Sequence, residues 1–170
     1  MLNAYIFSGL PGVGKTTLAK RLAQAVSDSV YYRIDTIEYY LKKEYSKDLI
    51  KQGYEITYYL AKENLELGKN VIIDCCNPVK ESRELWNKLS TDSIKVINIE
   101  VLCSNKEIHE NRIESRFEEN KNKYPSWQSV LDRDYENWFD KDVIRVDTAN
   151  IEIKDSLDKL MKLIKLKNEE

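Results

Sequence analysis

Apolar residues fall along this chain in short blocks of two kinds, compact runs rich in β-branched and aromatic residues, and stripes spaced three and four apart. The first pattern predicts strands and the second helices. Asn3 to Ser8 is a compact run, and a helix follows it to about Ala25, with Leu18, Leu22 and Ala25 on one face and Lys20, Arg21 and Gln24 on the other. Val30 to Ile34 is a second strand candidate, ending at Asp35, and Thr36 to Lys43 reads as a short helix. Gly53 opens a further helix, striped by Ile56, Tyr59, Leu60 and Leu67 and stopped at Gly68. Asn70 to Cys76 is an apolar run between Gly68-Lys69 and Asn77-Pro78, which suits a strand buried on both faces. Val79 to Leu89 is a helix with Leu85, Trp86 and Leu89 facing in, and Ile94 to Leu102 is a fourth strand. Ser104 and Glu107 form a capping box for a helix that runs to Phe117. A charged loop, Glu118 to Lys123, leads to Ser126, which can cap a helix from Trp127 to Trp138. Val143 to Val146 is a fifth strand, ending in Asp147-Thr148-Ala149. The last helix, from about Lys154 to Leu166, turns Leu157, Leu160, Met161 and Ile164 inward, and only Lys167 to Glu170 reads as disordered.

Five strands alternating with helices predict an α/β fold with a parallel sheet, helices on both faces and right-handed crossovers. No repeat or linker interrupts the 170 residues, so one domain over 1–170 is expected. In such sheets ligands bind beyond the carboxyl ends of the strands. The positions to inspect are therefore the turn after the first strand, Asp35, Asp74, Cys103-Ser104 and Asp147.

That first turn carries the strongest chemical signal. Gly9-Leu10-Pro11-Gly12-Val13-Gly14-Lys15-Thr16 matches G-x-x-x-x-G-K-[ST] without a mismatch, with a strand before it and a helix, starting Thr17-Leu18, after it. A chance match to four fixed positions in a chain this size is expected well under ~1% of the time. The glycines let successive N–H groups turn into one concavity, which holds an anion together with the helix N-terminus. Lys15 is placed to reach β- and γ-phosphates, and the Thr16 hydroxyl to ligate Mg²⁺.

Composition narrows the partners. The apolar fraction of 42% and charged fraction of 33% suit a soluble globular protein. A net charge of -2, with lysines interleaved among acids, argues against a nucleic-acid or membrane partner. Neither a leader peptide nor a membrane span is read in the sequence, and a cytoplasmic location is expected. Cys75, Cys76 and Cys103 sit in or beside apolar runs and read as buried free thiols, and a single histidine makes a zinc site hard to assemble.

Beside the turn, each candidate has two readings. Asp74 ends an apolar strand that has little reason to carry a carboxylate unless it serves a cation, though it could also cap the Asn77-Pro78 turn. Asp35 can accept a proton from an acceptor hydroxyl, or cap the helix from Thr36, or do both. Arg112 and Arg116 lie one helical turn apart before the charged loop, where guanidinium groups suit a transferring phosphoryl group; the alternative is a solvated pair among Glu114, Glu118 and Glu119. Arg116 is favoured for phosphate, and Arg133 is a candidate for a second lid arginine. Tyr39, Tyr40, Tyr54, Tyr58 and Tyr59 could wall an acceptor, although aromatics at helical spacing more often form core. His109 reads as a surface residue, and Lys106, Lys121 and Lys123 as solvated charges.

Taken together, Gly9 to Thr17, Asp35, Val-Ile-Ile-Asp74-x-x-Asn77, Arg112-x-x-x-Arg116, Trp127-x-x-Val130-x-x-Arg133-x-Tyr135 and Val-Asp147-Thr148 resemble the small P-loop kinases of the AAA-type ATPase or predicted-kinase group. That group is similar to the kinase domain of polynucleotide kinase, to chloramphenicol phosphotransferase and to zeta toxins. The resemblance, over about Asn3 to Ala149, implies a P-loop NTPase core with strand order 2-3-1-4-5 and a small helical lid at about 112–135. It implies ATP with Mg²⁺ as donor, bound by Gly9, Leu10, Pro11, Gly12, Val13, Gly14, Lys15, Thr16 and Thr17, with Thr16 and Asp74 at the metal. Asp35 matches the acid that takes the acceptor proton, Arg112 and Arg116 the lid arginines, and Asp147 the loop that edges the adenine. In the polynucleotide kinase branch an arginine follows the acid by three residues; here that position is Glu38, which would repel a nucleic-acid backbone. The expected activity is ATP-dependent phosphorylation of a small-molecule hydroxyl. The alternatives are a nucleotide or polynucleotide 5′-hydroxyl kinase, and an ATP-binding switch that transfers phosphate only to water or to nothing.

Overall fold

The computed structural model describes residues 1–46 and 49–169. β1 (Leu2–Ser8), α1 (Lys15–Ala25), β2 (Ser29–Arg33), α2 (Ile34–Tyr45) and α3 (Ile50–Glu66) come first. β3 (Asn70–Asp74), α4 (Lys80–Asn87), β4 (Ile94–Leu102) and α5 (Lys106–Glu119) follow, and α6 (Trp127–Leu131), β5 (Ile144–Asp147) and α7 (Ile153–Glu169) complete the chain. The strands form one parallel sheet in the order β2-β3-β1-β4-β5. This is the three-layer architecture of P-loop NTPases.

Side chains alternate across each strand, so β1 feeds two cores. Tyr5 and Phe7 pack with Leu18 and Leu22 of α1 and Leu160 and Ile164 of α7 on one face. Ala4 and Ile6 pack with Ala61 and Leu65 of α3 and Trp86 of α4 on the other. β3 divides likewise, Ile72 to the first core and Val71 and Ile73 to the second, as its unbroken apolar run requires.

Several element boundaries differ from the sequence reading. Asp35 does not end β2: the strand stops at Arg33, and Asp35 sits in the first turn of α2, where Arg33 is the N-cap and no side chain caps the helix. Gly53 lies inside α3 rather than at its start, because α3 crosses α2 there; a Cβ on Gly53 would come within 2.9 Å of Glu38 Cγ. α5 is capped by Asn105, whose Oδ1 accepts from Ile108 N, while the Ser104 N–H is drawn to Asp147 Oδ1 at 3.0 Å. α6 is capped by Ser126 as expected but ends at Leu131, not Trp138. Beyond it the carbonyls of Glu136 and Asn137 accept from Arg83, whose guanidinium also stacks 4.2 Å over Trp138. A helix through these residues would turn those carbonyls inward on themselves. At the C-terminus α7 continues through Lys167 to Glu169, against the disorder expected there, and Glu170 lies outside the described residues.

Candidate active site

The turn between β1 and α1 is held by its carbonyls. Lys15 Nζ donates to Leu10 O at 2.8 Å, His109 Nε2 meets Pro11 O at 2.6 Å, and the Thr148 hydroxyl donates to Val13 O at 2.7 Å. The Gly9 N–H donates to Cys76 O at 3.1 Å, which ties the turn to the end of β3. A peptide plane that turns its carbonyl outward turns its N–H the opposite way. Three peptide planes of the turn are thereby fixed in orientation. Gly12 needs its glycine twice over: its φ is +81°, and a Cβ would lie 2.6 Å from Ile113 Cδ1.

A cavity of about 610 Å³ opens from this turn. Pro11, Gly12, Gly14, Lys15 and Thr16 of the turn and α1 line it, as do Asp35, Glu38, Tyr39 and Tyr40 of α2, and Arg116, Lys123, Tyr124 and Arg133 of α5 and the segments after it. Several predicted site residues therefore share one space. Others do not line it: Gly9, Leu10, Val13 and Thr17 belong to the turn and helix behind it, and Asp74, Arg112 and Asp147 lie outside its wall.

Asp74 closes β3 at 2% exposure, level with Arg33 on β2 and Phe7 on β1. Its Oδ2 accepts from the Tyr31 hydroxyl at 2.9 Å and lies 3.7 Å from Arg33 Nε. Burial, with the adjacent Asp74 charge, pushes the Tyr31 phenol far above its usual range, so it acts as a donor. Arg33 bridges the two acids, since its Nη2 also donates to Asp35 Oδ2 at 3.1 Å. Asp35 is otherwise well exposed to the cavity, its side chain 60% accessible.

Arg112 and Arg116 part company despite their spacing. Arg112 donates to Thr148 Oγ1 at 2.9 Å and Thr148 O at 3.1 Å, and so grips the loop after β5. Arg116 projects from the last turn of α5 and lines the cavity. Asp147 accepts from the Ser104 and Ala149 N–H groups, each at 3.0 Å. Partial burial alone would raise its carboxyl, but these bonds hold it below the usual carboxylate range. Arg133 lines the cavity, with Cys76 Sγ 3.7 Å from its Nη1.

Several expectations need correction. His109 is not a surface residue; it is 7% exposed, under the turn and edge-on to Trp127. Its ordinary pKa is lowered, chiefly by burial. Of the five tyrosines only Tyr39 and Tyr40 line the cavity; Tyr54 is core, stacked near Trp86 with its hydroxyl accepting from Asn77 N. Lys123 is not merely solvated but lines the cavity. All three cysteines are free, yet only Cys75 is buried. Unread in the sequence was the supporting role of Asn77, Arg83 and Glu100, all buried and hydrogen-bonded behind the site. An Asn-Pro after an apolar strand, followed by a lone arginine amid apolar helix positions, was the available signal for the first two.

The family model of the AAA domain matches residues 5–134. The chain belongs to the AAA domain family. As an AAA domain protein it has solved relatives in shape: a gluconokinase from Sinorhizobium meliloti superposes with TM-score 0.67 at 16% identity, over 98% of this chain and 94% of that one. The APS kinase of Mycobacterium tuberculosis, solved with AMPPNP and APS, gives 0.69 at 16% identity, over 96% and 98%. A sugar kinase from a Janibacter species gives 0.73 at 15% identity, over 97% and 95%. At these identities the likeness establishes the fold, that of small P-loop kinases. No curated protein matches the AAA domain chain in sequence. No helix among its described residues is long and apolar enough to cross a membrane.

Proposed function

We propose that this protein is a cytoplasmic ATP-dependent phosphotransferase that moves the γ-phosphoryl group to a hydroxyl of a small molecule, using residues 1–170 as one kinase unit with a lid at about 112–135. One observation carries the reading: a single cavity runs from Lys15 and Thr16 of the phosphate-binding turn to Asp35 on α2. A switch that only binds nucleotide has no need of a carboxylate facing its phosphates across such a space.

In this reading the turn from Gly9 to Thr17 holds the phosphates by its N–H groups, and Lys15 leaves Leu10 O to bridge toward the γ-phosphate. The loop of Asp147 and Thr148, clamped by Arg112, edges the base. Because Arg112 is engaged there, closing on the γ-phosphate falls to Arg116, with Arg133 lining the same cavity. Asp35 contacts Arg33 through Oδ2, which leaves Oδ1 to orient the acceptor hydroxyl and take its proton. Rate enhancement then comes from positioning and charge stabilisation.

The residues suit a magnesium ion. Thr16 faces the cavity, and Asp74, buried behind its wall, makes its contacts with Tyr31 and Arg33 through Oδ2, so that Oδ1 would serve the cation through a bound water. Hard oxygen donors few in number fit Mg²⁺, which keeps waters and takes phosphate oxygens. Among the described residues no cluster of three or more His, Cys, Asp or Glu side chains competes as a metal cage. When bound, the ion would neutralise charge developing on the β- and γ-phosphates.

The test is ADP release over a panel of hydroxylated metabolites, nucleosides and oligonucleotides, against a water blank. We expect acceptor-dependent turnover, at least about 100-fold slower in Asp35→Asn with nucleotide binding retained. Turnover that is independent of every acceptor, or unaffected in Asp35→Asn, would refute the kinase.

A further inference from the structure

The Pro11 carbonyl is held by a side chain for which phosphoryl transfer has no direct use. His109 lies within α5, and its Nε2 is 2.6 Å from Pro11 O. A carbonyl only accepts, so Nε2 carries the proton and donates. Burial, helped by the nearby charges of Arg112 and Lys15, keeps the ring neutral. The Pro11–Gly12 peptide is trans, so the Gly12 N–H points opposite to the bound carbonyl, away from α5, and Gly12 lines the cavity. The same imidazole meets the Trp127 ring edge-on, with centroids 5.1 Å apart and planes at 77°. Trp127 is the first residue of the lid helix α6. Ile113, one turn beyond His109, packs under Gly12 and leaves the turn no room to sink toward α5.

We propose that His109 is a positioning residue that locks the Pro11–Gly12 peptide with its N–H toward the bound phosphates and couples that peptide to the lid at Trp127. One imidazole touches both the turn and the first residue of α6, so a change at either biases the other. The inference rests on the nucleotide-binding part of the proposed function and needs no acceptor.

The experiment is titration of MgADP onto the full chain by calorimetry, with Trp127 emission followed in parallel and isolated by subtracting the Trp127→Phe signal. His109→Leu keeps bulk but cannot donate; His109→Gln restores an N–H at similar reach. We expect MgADP to bind about fivefold more weakly to His109→Leu, the worth of one buried hydrogen bond, and within about twofold of wild type to His109→Gln. The nucleotide-induced change in Trp127 emission should vanish in His109→Leu. Wild-type affinity and an intact emission change in a folded His109→Leu protein would overturn the proposal. So would equal weakening in both variants, which would mean that the ring matters only as filler. If His109→Leu fails to fold, His109→Gln and Trp127→Leu decide: the proposal requires the first to bind MgADP normally and the second to bind it more weakly, and fails otherwise. A wild-type chain that binds no MgADP overturns both this and the proposed function, whereas one that binds it but transfers nothing overturns only the kinase.

Discussion

Asn77 offers the sharpest test of how the site is held. It is fully buried, in the left-handed region at φ +48°. Its Nδ2 donates to Ser8 Oγ at 2.8 Å, and its Oδ1 accepts from Trp86 Nε1 at 2.8 Å. Asn77→Ala removes both bonds and strands two partners that are themselves 0% exposed. A buried partner left unsatisfied costs about 1–3 kcal/mol, and the lower part of that range gives about 1–1.5 kcal/mol for each bond. Alanine in the left-handed region costs about 1 kcal/mol more. The expected loss is therefore about 3–4 kcal/mol, a fifth or more of a typical domain's stability of roughly 5–15 kcal/mol. In urea, with an m-value of about 2 kcal/mol/M, the midpoint should fall by about 1.5–2 M at unchanged slope. Asn77→Gly separates the two causes: it loses the same bonds but tolerates the backbone, and should be less destabilised by about 1 kcal/mol. A midpoint shift under about 0.5 M for Asn77→Ala, or a glycine variant no better than the alanine one, would show that this network does not carry the stability assigned to it.

Further outcomes follow from the same geometry. Gly12→Ala must fit a Cβ 2.6 Å from Ile113 Cδ1 at φ +81°, and should weaken MgADP binding at least about tenfold by calorimetry while the far-ultraviolet circular dichroism stays that of wild type. Arg83→Lys exchanges a planar fork that serves the Asn77, Pro78, Glu136 and Asn137 carbonyls for a point charge, and should lower stability by about 2–3 kcal/mol in urea unfolding. His109 titrates below its ordinary value of 6.5 because it is buried, with Arg112 and Lys15 adding to the effect and the Pro11 bond opposing it. The unfolded chain therefore binds a proton that the folded chain refuses. Stability from this group is fully present above about pH 6.5 and is lost as pH falls through the folded value. Thermal melts at pH 5.5 and 7.5 should show a smaller acid loss in His109→Gln than in wild type, and equal losses would refute the assignment.

The sheet was legible because its evidence is local. Compact apolar runs at 3–8 and 70–76, and the apolar alternation that opens 94–102, favour strands over helices at these lengths, and the glycine-rich turn carries its backbone demands in its own residues. Local spacing fails where a partner far along the chain decides. Ser104 loses the cap of α5 to Asn105 because its N–H is taken by Asp147, 43 residues on. α6 stops at Leu131 because Arg83, more than 50 residues earlier, collects the carbonyls of Glu136 and Asn137. His109 looked solvent-facing because α5 has charged residues on nearly every side, and only the packing of the turn and Trp127 shows which side is covered.

The candidate site divides the same way. Sequence alone determined that Lys15 and Thr16 sit at a helix N-terminus behind a glycine-rich turn, since contiguous residues specify strand, turn and helix start. Tertiary structure alone decided that Arg116 faces the cavity while Arg112 grips Thr148, and that Arg33 links Asp35 to Asp74. Residues one helical turn apart share a face, but what that face meets depends on the loop after β5, and side chains on adjacent parallel strands meet only once the crossovers have set their register.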